Sequence, residues 1–157
     1  MMLWNIITLF GEAKLWLILA ISLLIIAFLK RDKKLAIDSS HIISLVIISG
    51  SITLFIKNLF KIPRPCEGLS FCPHGYSFPS GHTLLLFSVL SYLYFSKNKN
   101  TLLLTIFLII TLLVAISRIV LQVHRIEDVA CGCFLGVFVG FIYSKQLSKY
   151  VMYLIKG

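Results

Sequence analysis

Long apolar runs separated by short polar clusters organise this chain. Residues 1–10 are apolar and end at Glu12 and Lys14. Such a stretch is too short to cross a bilayer and predicts an interfacial helix or a lead-in to the first span. Residues 15–29 are uninterrupted hydrocarbon and finish in Lys30-Arg31-Asp32-Lys33-Lys34. A positive cluster placed after the apolar run, with no small-residue cleavage site, argues against a secretory signal peptide. Asp38-Ser39-Ser40 predicts the N-cap of a second helix running to about Phe60, where Pro63 and Pro65 forbid its continuation. Residues 61–78 form a loop rich in Pro, Gly and Cys. Three further apolar helices are predicted over 81–95, 101–116 (with continuation to Gln122 open) and 129–143, the first two separated by a basic turn over 96–100. The expected fold is all-α: a polytopic transmembrane bundle of about five spans in one domain over 1–157, plus a short N-terminal interfacial helix.

Composition agrees with that pattern. Of 157 residues, 59% are apolar and 13% charged, and mean hydropathy is +0.97, whereas soluble domains carry about a quarter charged residues. The net charge of +9 is divided among the ends of apolar runs rather than gathered on one solvated face. That distribution excludes a nucleic-acid partner and fits loop charge that orients the spans, with a share left for an anionic ligand. Five spans place loop 61–78 and segment 117–128 on one side of the bilayer. The other side holds Lys30, Arg31, Lys33, Lys34, Lys97, Lys99, Lys145, Lys149 and Lys156, nine basic residues, against six at Lys14, Lys57, Lys61, Arg64, Arg118 and Arg125. The positive-inside rule then predicts that the second group faces out of the cytoplasm.

The polar residues on that side are the candidate chemistry. Arg118 lies between Val114-Ala115-Ile116 and Ile119-Val120-Leu121, where an unpaired charge is costly, so it calls for an anion. Lys57 ends an apolar run, where it either snorkels or joins the same site. Arg64 lies between two prolines that restrict its backbone, which suits a guanidinium forming paired hydrogen bonds to phosphate oxygens. Ser80 and Gly81 open a predicted helix after Pro79, so free N–H groups and the positive dipole end are available to an anion; an ordinary cap with an interfacial His82 is the alternative. His124 and Asp128 are four apart, so one helical turn brings them to one face and the carboxylate can set the imidazole tautomer. Glu127 is the rival partner. His41, on the opposite side, reads as structural, and His74 lies in the loop outside the pattern.

Taken in order, Lys57-x6-Arg64-Pro65, Pro79-Ser80-Gly81-His82 and Ser117-Arg118-x5-His124-x3-Asp128 match every position of a three-part signature. On these residues the chain resembles the type 2 phosphatidic acid phosphatase family, which includes lipid phosphate phosphatases and shares its site with vanadium haloperoxidases. The signature region covers about 57–128. Many bacterial members resemble six-span proteins, and this chain is expected to lack a full first span. The resemblance implies a membrane enzyme acting on a phosphorylated lipid: phosphatidylglycerophosphate, undecaprenyl pyrophosphate, lipid A phosphate or phosphatidate. It implies that His124 attacks phosphorus to form a phosphohistidine, that Asp128 orients it, and that His82 protonates the leaving oxygen. Lys57, Arg64, Ser80, Gly81 and Arg118 would hold the phosphoryl oxygens. The implied location is a bacterial cytoplasmic membrane, with the site on its outer side. No cofactor or metal is expected, since the protein supplies the cations and the sequence has no carboxylate cluster suited to Mg²⁺. A lipid-phosphate binder or transporter without catalysis is the competing class, and it has no need of both histidines.

Cys66 and Cys72, six apart in the outward loop, are candidates for a disulfide, with two free thiols as the alternative. Cys131 and Cys133 point to different helix faces and are not expected to pair. Gly132, Gly136 and Gly140 form a small-residue stripe expected to pack against another span of the same chain.

Overall fold

The computed structural model of the chain describes residues 2–96 and 100–156; Lys97 and Lys99 of the expected basic turn lie outside them. The described residues form six helices in order: α1 (Met2–Leu9), α2 (Ala13–Lys30), α3 (Lys33–Phe60), α4 (Gly81–Phe95), α5 (Thr101–Val120) and α6 (Ile126–Lys156). Among the described residues, four segments are long and apolar enough to cross a membrane: Ala13–Lys30, Lys33–Phe60, Thr101–Val120 and Ile126–Gln146. With α4 they make the five expected apolar helices, and α1 is the short N-terminal one. Ile18, Phe28, Leu54, Phe55, Leu102 and Phe134 all project outward, which gives the bundle a hydrocarbon surface suited to lipid tails.

Three boundaries differ from the sequence expectation, each for a local reason. Helix α3 starts at Lys33 rather than at the 38–40 cluster. Arg31 takes a left-handed conformation (φ 54°) that reverses the chain directly after α2, and Asp32 caps α3 by accepting from the Leu35 N–H at 3.0 Å. Ser39 and Ser40 sit inside the helix and bond back to the carbonyls of Leu35 and Ile37. Helix α5 stops at Val120, because Gln122 is left-handed (φ 55°) and turns the chain away. Helix α6 begins at Ile126 rather than at 129, as Asp128 Oδ2 accepts from the Arg125 N–H at 2.9 Å across its first turn.

Helix α4 is the axis of the bundle. Its residues from Thr83 through Val89 are all buried. Fifteen residues at about 1.5 Å each give about 22 Å, short of the ~30 Å hydrocarbon thickness, so its polar N-terminal end lies inside the protein. The glycine stripe makes this possible. A Cβ on Gly132, Gly136 or Gly140 would lie 2.7, 2.5 or 2.2 Å from the carbonyl oxygens of Ser80, Leu84 and Ser88, so α6 lies backbone to backbone against α4 within one chain. Hydroxyls bind the same helix to its neighbours: Ser88 Oγ lies 2.8 Å from Ser49 Oγ of α3, and Ser91 Oγ donates to the Val137 carbonyl of α6 at 2.8 Å. Near the opposite end, His41 Nδ1 meets the Tyr143 hydroxyl at 3.0 Å and its ring packs on Tyr92, the structural role expected of it.

This arrangement brings four helix termini and a junction together at one end: the C-termini of α3 and α5, the N-termini of α4 and α6, and the α1–α2 junction.

Candidate active site

The loop from Lys61 to Ser80 is folded back on itself before it can enter α4. The Ser77 N–H donates to the Ile62 carbonyl at 2.8 Å, and a disulfide joins Cys66 to Cys72 with their Cα atoms 5.5 Å apart. Arg64 is drawn inward from this loop. Its Nε donates to the Gly75 carbonyl at 3.1 Å, and its Nη1 donates to the Val123 carbonyl at 3.0 Å on the facing segment. Lys57, in the last turn of α3, donates to the carbonyls of Tyr76 and Ser77 and so extends into the site instead of snorkelling away.

His124 is placed by the turn that ends α5. The Val123 and His124 N–H groups both donate to the Arg118 carbonyl at 3.2 Å, which folds the residue back over the helix end. Asp128 is four residues on and fully buried; its Oδ2 lies 3.3 Å from His124 Nδ1, as the spacing predicted, and Glu127 points outward. Its main-chain carbonyl accepts from the Ser80 N–H at 3.0 Å, so the start of α4 is docked onto the start of α6. Ser80 is the N-cap residue of α4, but its hydroxyl pairs with Thr83 Oγ1 at 2.9 Å rather than closing the cap, which leaves the first N–H groups of the helix free for another acceptor.

A cavity of about 580 Å³ opens at this end, and Lys57, Arg64, Gly81, His82, Arg118 and His124 all line it. Ser80, next to Gly81, and Asp128, on His124, are buried beside these lining residues. Three cationic side chains therefore converge on one concavity with a helix N-terminus, an arrangement that favours an anion of several oxygens. Arg118 is 6% exposed and its Nε has no hydrogen-bond partner among the described residues, a buried donor left available to such a ligand. His74 is exposed and does not line the cavity. Burial pushes the His124 imidazole down to about 2, and the nearby cations Arg118, Arg64 and Lys57 push the same way. The ring is neutral at ordinary pH and keeps a lone pair.

The structure adds a group that the sequence reading passed over. Asn5, Thr8 and Glu12, from α1 and the junction after it, line the same cavity. Thr8 Oγ1 accepts from Arg118 Nη1, and Glu12 Oε1 lies 3.1 Å from His82 Nε2. The hydrogen bond from His82 holds the Glu12 carboxyl below the usual carboxylate range, against the effect of burial. One signal was available: Glu12 is the only acidic residue among the first thirty-one. A lone carboxylate between two apolar runs needs a partner, and here it has one.

Comparison with known proteins agrees with this arrangement. An undecaprenyl-diphosphatase of Sulfolobus acidocaldarius is 29% identical over 150 residues, covering 89% of this chain; the chain spans 66% of that relative's length. The crystal structure of a transmembrane PAP2-type phosphatidylglycerolphosphate phosphatase from Bacillus subtilis superposes with a TM-score of 0.78 at 24% identity, covering 94% of this chain and 76% of the other. Aquifex aeolicus LpxE superposes with a TM-score of 0.70 at 25% identity, covering 92% and 84%. The family model described as the PAP2 superfamily matches residues 40–152, which include every signature position, and the chain belongs to that superfamily.

Proposed function

We propose that this protein is a membrane lipid phosphatase that removes a terminal phosphate from a phosphorylated lipid through a phosphohistidine on His124. The observation that carries the reading is the neutral, buried His124, with Asp128 on Nδ1, Arg64 3.3 Å from Nε2, and Lys57 and Arg118 lining the same cavity. Nε2 attacks phosphorus, and the bond to the leaving oxygen breaks with its electron pair kept on that oxygen. His82 supplies the proton that neutralises it. Water then attacks the phosphohistidine and releases phosphate. Lys57, Arg64, Arg118 and the N–H groups at Gly81 hold the three non-bridging oxygens and stabilise charge in the transition state. A protein that only carried a lipid phosphate would have no use for the His124–Asp128 pair.

A lipid substrate is supported by the setting. The cavity opens among helix ends, and α1 beside it exposes Leu3, Ile6 and Leu9 on its outer side, as a helix in the bilayer interface does. The names of the relatives point to polyprenyl diphosphates and phosphatidylglycerolphosphate as the first substrates to try. The basic-residue count supports a site on the outer face of the cytoplasmic membrane. Phosphate release from a panel of lipid monophosphates and diphosphates, measured in detergent with a chelator present, tests the reading. Turnover by the wild type and none by His124→Ala is the expected result. Equal turnover by the variant, or complete loss in chelator, would contradict it.

A further inference from the structure

Two carboxylates serve the two histidines of this site, and they sit on opposite ring nitrogens. Asp128 is on Nδ1 of His124, whereas Glu12 is on Nε2 of His82. The Cδ2–Nε2 edge of His82 is turned to the α1–α2 junction so closely that a Cβ on Gly11 would lie 2.6 Å from Cδ2. A carboxylate accepts, so Nε2 carries a hydrogen and is fully engaged. Nδ1, on the other edge, makes no hydrogen bond among the described residues and is the nitrogen left for a substrate. Apart from Glu12, the charged or titratable groups that share the cavity with His82 are Arg118 of α5, Arg64 of the α3–α4 loop, Lys57 of α3, and His124 ahead of α6. Three of these are permanent or near-permanent cations, and they oppose a second proton on His82. Among the described residues, Glu12 is the one carboxylate in direct contact with it.

We propose that Glu12 is the positioning residue of the acid step: it holds Nε2–H of His82, so that the proton given to the leaving oxygen comes from Nδ1. The assignment rests on the phosphatase reading above. The step balances: the phosphorus–oxygen bond breaks toward oxygen, the imidazolium Nδ1–H passes to that oxygen, and a neutral imidazole remains with Nε2–H still on Glu12. A neighbouring carboxylate stabilises the imidazolium that makes this possible. The junction that carries Glu12 also carries α1, whose Thr8 accepts from Arg118, so a segment outside the signature completes the site.

The test compares substrates that need the acid with one that does not. General acid catalysis is worth about 10²–10⁴ for a poor leaving group and little for a good one. Glu12→Gln keeps the size of the side chain and removes its charge. It should lower kcat/KM for dioctanoyl phosphatidate by about 100-fold and for p-nitrophenyl phosphate by less than about threefold. It should also move the alkaline limb of the phosphatidate pH profile to lower pH, since His82 without its anion loses its proton earlier. In a His82→Ala background the Glu12→Gln change should add nothing. An equal loss on both substrates, an unmoved limb, or a full additional loss in the His82→Ala background overturns the assignment while leaving the phosphatase reading intact. A wild type that hydrolyses neither substrate overturns the phosphatase reading itself, and this assignment with it. Inhibition by orthovanadate, measured on each variant, shows that the anion site is still folded.

Discussion

Arg64 Nη1 lies 3.3 Å from Nε2 of His124, and a guanidinium can only donate. Nε2 must therefore present its lone pair, and the hydrogen of the neutral ring must be on Nδ1, toward Asp128. Two neighbours on opposite sides thus select the same tautomer, the one with a nucleophilic Nε2. In the proposed mechanism a phosphoryl oxygen would replace Nε2 as the acceptor for Arg64, bringing phosphorus next to the freed lone pair.

Replacement of Arg64 by lysine tests this double role. The lysine keeps one charge but cannot hold Gly75, Val123 and a phosphoryl oxygen together. Loss of a charge-assisted hydrogen bond of about 1.5–3 kcal/mol predicts a drop of roughly 10- to 100-fold in kcat/KM. Steady-state kinetics on one lipid monophosphate measures it. A lysine variant with wild-type kinetics would show that Arg64 does not touch the reacting phosphate.

The low value at His124 has a pH consequence. An ordinary histidine gains a proton as pH falls through about 6.5 and would lose its lone pair. His124, pushed down to about 2, stays neutral throughout the range above that. Its ring resonance in a histidine-labelled sample should not titrate between about pH 5 and 8, the span in which an unperturbed imidazole changes charge. A titration midpoint near the ordinary value would mean that burial and the three cations do not act on the ring as described.

The loop disulfide supports the cavity wall rather than the chemistry. Phe71 and Pro73 line the cavity next to Cys72, and the Gly75 carbonyl that anchors Arg64 follows three residues later. The Cys66→Ser/Cys72→Ser double variant should raise KM several-fold, on the order of the 1 kcal/mol that one loosened hydrogen bond represents, with kcat nearly unchanged. Kinetics with and without reductant on the wild type provides the matching measurement. A fall in kcat at constant KM would place the disulfide's influence on the reacting groups instead.

Packing of α6 on α4 makes a prediction about stability. Gly136→Val forces side-chain atoms against the Leu84 carbonyl and the Phe87 Cβ and should destabilise the bundle by about 1–3 kcal/mol, read as a lower Tm in detergent. Gly50→Ala is the control. A Cβ there meets nothing within 4 Å, and alanine is the better helix former. Equal Tm values for the two variants would refute close α4–α6 contact.

The sequence was informative wherever chemistry constrains residue type and spacing. Charges set against hydrocarbon revealed Lys57 and Arg118, flanking prolines singled out Arg64, and the four-residue interval revealed His124 with Asp128; the structure gathers them at one cavity. It was less informative about helix starts. Asp38-Ser39-Ser40 has good cap chemistry, but serines inside a membrane helix can bond back to the preceding turn, and Arg31 with Asp32 starts the helix earlier. The continuation of α5 through Gln122, left open, ended two residues sooner, because the left-handed turn there follows from docking His124 and not from composition. Glu12 was missed for a different reason. Its partner, His82, is seventy residues away, and no periodicity connects α1 to the start of α4.

The most direct test is to trap the covalent intermediate. Enzyme mixed with a lipid monophosphate in detergent and quenched in alkali within milliseconds, where phosphohistidine survives, should yield on digestion a peptide carrying one phosphoryl group at His124. The Asp128→Asn variant should accumulate it more slowly, since the tautomer is no longer imposed. A turning-over wild type with no phosphorylated peptide at any quench time, or with the phosphoryl group on another residue, would contradict the account.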